Sequence, residues 1–182
     1  MRRKRFSLNI IKKYVHIIKM KKSMKYIPLR YLPKSLSKKD AKLQKNMLTK
    51  SKKMYKHGKY YTRKTLKSFR SKKSSHILNA QKMYNVEKIG PTNELARKTG
   101  CSKKTLEKIV KKGQGAYFSS GSRPNQTSQS WGLARLASSV TGGKASVVDF
   151  DILKQGCNSK SKALKLAKKN YHKLRHTPKR KV

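Results

Sequence analysis

The residues best able to do chemistry are few, and most are cations. Six Asp and Glu stand among 50 Lys and Arg in 182 residues, a formal net charge of +44. Asp40, Glu87, Glu94, Glu107, Asp149 and Asp151 form no pair with acid–base spacing, so an enzyme is not expected. His16, His57, His76, His172 and His176 sit among lysines, where a solvated or nucleic-acid-facing role is expected. His172 and His176 have the i, i+4 spacing of a metal pair, but no third ligand is near, so no metal and no cofactor are expected. Cys101 and Cys157 are too few for a disulfide scaffold or a zinc site and suit a reducing compartment. Gly143-Lys144 resembles the end of a phosphate loop, but Ala145 replaces the magnesium-holding hydroxyl and Ser138 the first glycine. Ser120 has no glycine two residues before it, so it is no nucleophile elbow. Gly115-Ala116-Tyr117-Phe118-Ser119 resembles the strand after the nicotinamide pocket of ADP-ribosyltransferases, without that fold's His-Gly signature or catalytic Glu. Arg123 and Arg135, beside Ser119, Ser120, Ser122 and Asn125, suit a small anion pocket, with loop hydrogen bonding and helix capping as the alternative.

What the cations can do is bind polyanions. Lysine outnumbers arginine, which supplies point charges rather than base-reading forks. Such a surface binds by neutralising phosphates and releasing counterions, with little sequence preference. The contacts expected to carry this are Arg2, Arg3, Lys4, Arg5, Lys52, Lys53, Lys72, Lys73, Lys103, Lys104, Lys108, Lys168, Lys169 and Arg180. The partner expected is nucleic acid, double-stranded DNA first, and no small-molecule substrate. Tyr14, Tyr26, Tyr31, Tyr55, Tyr60, Tyr61, Tyr84 and Tyr171 are interleaved with the lysines. They suit either stacking on unpaired bases or packing of amphipathic helices. Trp131 and Phe118 read as core aromatics.

The elements that must position these residues follow from uneven charge. Residues 1–75 hold 27 Lys/Arg and one acid, 76–112 hold 9, 113–158 hold 4, and 159–182 hold 10 with no acid. A packed core is therefore expected in the least charged part, flanked by a basic arm and a basic tail that stay loose until bound. The expected fold is mainly α, a small helical core with a long, partly extended N-terminal arm. Four parts are expected: an amphipathic basic extension over 1–25, a basic arm with one helix over 26–75, a helical core over 76–158, and a basic tail over 159–182. No stretch is apolar enough to span a bilayer, and lysines 12, 13 and 19 interrupt any secretory leader.

Within the extension, Leu8, Ile11, Val15 and Ile18 have helical spacing. In the arm, Ser37 caps a helix to about Lys56 with a stripe of Ala41, Leu43, Met47, Leu48, Met54 and Tyr55, stopped by Gly58. Tyr60 to Phe69 reads as extended, and Ser74 or Ser75 caps a short helix through Met83. Residues 91–113 predict a helix to Lys98 closed by Gly100, then a second from Lys103 to Lys112, capped by Ser102 and closed by Gly113. With Leu95, Ala96, Cys101, Leu106 and Ile109 at the contact positions, this resembles the helix-turn-helix of bacterial repressors. Lys103, Lys104, Lys108 and Thr105 would then face DNA. Gly113-Gln114-Gly115 and 119–126 read as loop. Thr127 or Ser128 caps a helix through Val140, stopped by Gly142-Gly143. Ser146 and Asp149 have capping-box spacing for another short helix ending near Gly156.

The run GQGAYFSSGSRPNQTSQSWGLARLASSVTGG, followed by VDFDIL and Gly-Cys, resembles a family of unassigned domains in large nucleocytoplasmic DNA viruses and some marine phages. YLPKSLSKKD, SKKMYKHGKYYTR and KSFRSKKSSHILNAQKMY fit the same family, over roughly 26–158. The resemblance implies a viral gene product in the virion and, during infection, in host cytoplasm or nucleus; it carries no catalytic residues. Three functions are therefore expected in order: a non-enzymatic structural protein binding nucleic acid in packaging or assembly; a minor capsid protein contacting anionic membrane or acidic capsid subunits; and a helix-turn-helix regulator.

Overall fold

The computed structural model describes residues 27–175, with side chains through Tyr171. Arg2, Arg3, Lys4, Arg5 and Arg180, and the helical spacing of Leu8 to Ile18, lie outside these residues. The fold is mainly α. After a 3-10 turn at Leu29–Tyr31 come α1 (Lys38–Lys56), α2 (Ser75–Tyr84), α3 (Asn93–Thr99) and α4 (Lys103–Ser119). Then follow α5 (Ser128–Val140), α6 (Lys144–Val148), α7 (Phe150–Gly156) and α8 (Lys162–Arg175). Residues 57–74 between α1 and α2 are extended or turning, without regular structure.

Local chemistry explains most helix starts. Ser37, Thr92, Ser102 and Thr127 each accept a bond from the backbone three residues on, and Thr127 forms a reciprocal box with Ser130. Gly100 closes α3 in the left-handed region at φ 69°.

The central contact is α4 on α5. It explains why Gly113 does not end α4 and why 113–115 is helix rather than loop. A Cβ on Gly113 would stand 2.7 Å from the Cα of Gly132, and one on Gly132 would stand 2.9 Å from the carbonyl oxygen of Val110. The glycines are there for close helix approach. Around this pair, Leu95, Leu106, Ile109, Leu136, Val140 and Leu153 are fully or almost fully buried. Tyr84 closes one side by donating to the Val140 carbonyl at 2.6 Å, and its burial pushes the phenol up to about 12.

Three further expectations change. The residues after 158 do not all stand apart as a loose tail: α8 buries Ala163, Leu164 and Ala167 in the core. The repeating apolar spacing inside that lysine-rich stretch is the reason. The arm is also packed. In α1, Met47, Leu48, Gln44 and Ser51 are buried, while Leu43 faces solvent. Leu36, Met47 and Leu66 form a second apolar cluster. Finally, Cys101 and Cys157 are not two free thiols but a disulfide across 56 residues. Their backbones form an isolated antiparallel bridge, with Ser102 N–H bonded to the Gly156 carbonyl and Asn158 N–H to the Gly100 carbonyl, each at 2.8 Å.

Ser146 and Asp149 do not form a capping box. Asp149 sits fully buried between α6 and α7. It accepts from Arg135 Nε at 2.9 Å and Nη2 at 2.6 Å and from Ser139 Oγ at 2.7 Å, with Lys112 Nζ at 3.0 Å. Burial alone would raise its carboxyl. The hydrogen bonds from Arg135 and Ser139, with the pull of the two cations, outweigh that and hold it below the ordinary value.

Candidate nucleic-acid interface

The site is built by the loop 120–127, which pins a basic strap, residues 66–74, opposite α5. Asn125 is the staple. It takes the left-handed conformation, φ 54°, which asparagine tolerates. Its Oδ1 accepts from Leu66 N–H at 2.7 Å, and its Nδ2 donates to the carbonyls of Leu66 at 3.0 Å and Phe69 at 2.7 Å. Next to it, Ser122 and Pro124 are buried. Ser122 Oγ accepts from Arg63 Nη2 at 2.7 Å. Arg63 also donates to the Tyr117 carbonyl and lies 3.6 Å over the Tyr117 ring, so one guanidinium joins the extended segment before the strap to α4. Burial lowers the pKa of that guanidinium. Asp40 fixes the strap from the other side, accepting from Ser68 N–H at 2.9 Å and Ser68 Oγ at 2.6 Å. Those two bonds hold the Asp40 carboxyl below its usual value.

Between the strap and α5 lies a cleft of about 1070 Å³. Its cations are Arg30, Lys67, Arg70, Lys72, Lys73, Arg123 and Arg135, with His76; no Asp or Glu lines it. Seven hydroxyl-bearing serines, Ser35, Ser68, Ser71, Ser74, Ser75, Ser120 and Ser138, supply neutral donors, and Tyr31, Phe69 and Trp131 supply aromatic surface. Trp131 is half-buried and meets Tyr31 edge-on, with ring centroids 5.8 Å apart. Gln44 holds the Tyr31 backbone by donating to its carbonyl at 3.1 Å. The arrangement attracts anions and offers flat surfaces beside them. A cluster of three or more His, Cys, Asp or Glu that could hold a metal ion is absent among the described residues.

Of the residues singled out by sequence, the cleft brings together Lys72, Lys73, Arg123, Arg135 and Ser120. Arg135 is not a free anion receptor: its fork is committed to Asp149. Ser119 is exposed at the end of α4 and does not line the cleft. Lys52 and Lys53 lie on α1, Lys103, Lys104 and Lys108 on α4, and Lys168 and Lys169 on α8; all but the half-buried Lys52 are exposed, and none of them lines the cleft. Thr105 does not face outward as a base-reading residue would. It is buried, and its hydroxyl meets Ser102 and the Gly156 carbonyl. The turn between α3 and α4 is bound to residues 156–158.

Sequence reasoning missed Arg30, Lys67, Arg70 and Phe69, and assigned Trp131 only to the core. The signal was the run KSFRSKK, in which cations, serines and an aromatic alternate; nothing local shows that it faces Trp131.

No helix among the described residues is long and apolar enough to cross a membrane. The chain belongs to a family of unknown function (DUF5824), which it matches over residues 28–158. No curated protein and no solved structure matches it.

Proposed function

We propose that this protein is a non-enzymatic nucleic-acid-binding protein that acts through Lys/Arg–phosphate contacts, in the packaging of a viral genome or the assembly of a virion. The observation that carries the reading is the lack of internal compensation. Among the described residues only Lys112 and Arg135 make ion pairs, both with Asp149. Most of the other described cations on α1, the strap, α4 and α8 are exposed and form no ion pair, with Asp40 reaching Lys39 and Lys67 only at longer range. A folded body with this excess repels itself unless a polyanion supplies the opposite charge. The viral setting rests on the sequence resemblance. Virion location and double-stranded DNA as the natural partner belong to the same proposal.

The test is binding of the full chain to random duplex DNA and to anionic vesicles over a salt series. Neutralising six or more phosphates gives a slope of log affinity on log salt steeper than about −5. A shallow slope with tight vesicle binding would refute the reading and favour the capsid–membrane role.

A further inference from the structure

We infer that the cleft between the strap and α5 is a seat for single-stranded nucleic acid, distinct from the general basic surface. The inference rests on the nucleic-acid reading above and adds, beside the duplex bound by the general basic surface, a single-stranded ligand and its place.

Three observations carry it. First, the cleft's free cations come from three separate segments: Arg30 before α1, Lys67, Arg70, Lys72 and Lys73 on the strap, and Arg123 on the loop. Six cations suit several phosphates of one strand better than the single phosphate of a mononucleotide. At about 1070 Å³ the cleft is also at or above the ~300–1000 Å³ that encloses a whole small molecule. Second, Trp131 and Phe69 lie among these cations, only partly buried. A base can stack on an aromatic face only when it is free of its own duplex, whereas a duplex presents phosphates and keeps its bases inside. Third, α2 begins at the cleft and differs from the better-capped helices. Ser74 makes no side-chain capping bond there, and no acid lies in the first turn. The positive end of its helix dipole adds to the attraction for phosphate.

The cleft is also built. The bonds from Asn125, Asp40 and Gln44 fix the strap and Tyr31 before any ligand arrives. That preorganisation separates it from the lysines of α8, which have no such frame.

Trp131 is the chain's single tryptophan, so its emission reports on this cleft alone. The experiment titrates the full chain with oligothymidylate or oligouridylate of about 16 nucleotides, with a duplex of equal phosphate number, and with thymidine monophosphate. Anisotropy of the labelled nucleic acid is followed alongside Trp131 emission. The expected result is saturable quenching of Trp131 by the single strands, weak or no quenching by the duplex, and none by the mononucleotide at equal phosphate concentration. Lys72→Glu/Lys73→Glu should weaken single-strand binding about tenfold more than the charge-matched Lys160→Glu/Lys165→Glu on and beside α8. Binding seen by anisotropy with Trp131 unchanged, and equal losses in both variants, would overturn the cleft while leaving the polyanion reading intact. Equal quenching by the mononucleotide would overturn it in favour of a nucleotide site. No binding of any nucleic acid would overturn both.

Discussion

Replacing Asp149 by asparagine changes one charge and almost no volume. The carboxylate is fully buried and is met by donors alone: the Arg135 fork, Ser139 Oγ and Lys112 Nζ. Asparagine keeps one acceptor and turns an NH₂ toward Arg135 or Lys112 nitrogens that can only donate. Arg135, whose side chain is 17% exposed, loses its counter-charge. Removing one partner of such a buried pair costs about 3–5 kcal/mol. For a domain near this size, each kcal/mol moves the melting point roughly 2–4 °C, so Asp149→Asn should melt roughly 6–20 °C lower. The pH dependence gives a second check. The folded carboxyl is depressed below 3.8, so its contribution is present above that value and is lost as pH falls through the folded pKa. The gap between wild type and variant should therefore be full at neutral pH and should narrow in acid, below about pH 4. The assay is thermal and urea unfolding at several pH values. A loss below about 1 kcal/mol at neutral pH, or a gap that stays constant into acid, would refute the argument that this ion pair holds α6 and α7 to α5. Single-strand affinity offers an independent reading: with Arg135 released beside the cleft, it should not fall in the folded variant.

Other outcomes follow from the same contacts. Gly132→Ala puts a methyl 2.9 Å from the Val110 carbonyl oxygen, which is backbone and cannot step aside; urea unfolding should show a loss of about 1–3 kcal/mol. A loss under a few tenths would mean that α4 and α5 separate easily. Reduction of Cys101–Cys157, or Cys157→Ser, opens a closure over 56 residues and should cost about 2–4 kcal/mol, read as a lower melting point in reductant. An unchanged melting point would mean that the backbone bridge holds these segments unaided. Asn125→Gly keeps the left-handed backbone and removes three staple bonds to the strap, so a loss of about 1–3 kcal/mol is expected, with single-strand binding weakened more than duplex binding. Equal weakening of both would disconnect the loop from the cleft.

The helix ends were legible because their chemistry is local. Ser37, Thr92, Ser102 and Thr127 each cap with their own side chain, and Gly100 needs only its own φ. What was not legible depends on contacts far along the chain. Gly113 looks like a stop until Gly132 is seen opposite it, 19 positions later. The lysine-rich stretch after 158 looks soluble throughout, because its charge hides Ala163, Leu164 and Ala167. Cys101 and Cys157 carry no spacing that betrays a bridge. Arg135 and Asp149 were both noticed, but their pairing was not, so a structural guanidinium was placed in an anion pocket.

The loop 120–127 poses the sharpest question, because it carries a single cation, Arg123, where the chain is basic. Charge alone gives no reason for a specific Gly-Ser-Arg-Pro-Asn-Gln run. Its geometry does. Gly121 takes φ 94°, which favours glycine, and a Cβ there would also stand 2.8 Å from Leu48 Cδ2 on α1. Ser122 receives Arg63, and Asn125 receives the strap. Ser122 and Asn125 thus fix segments that carry cations, while the loop itself carries only Arg123. A flexible lysine-rich strap would bind any polyanion and lose conformational freedom on doing so. A strap held in place before binding loses less, and its cations keep one spacing against Trp131. If the cleft takes a single strand, this loop is where its selectivity resides: it would set the distances at which phosphates and a stacked base are met together, while the surrounding lysines supply attraction without preference.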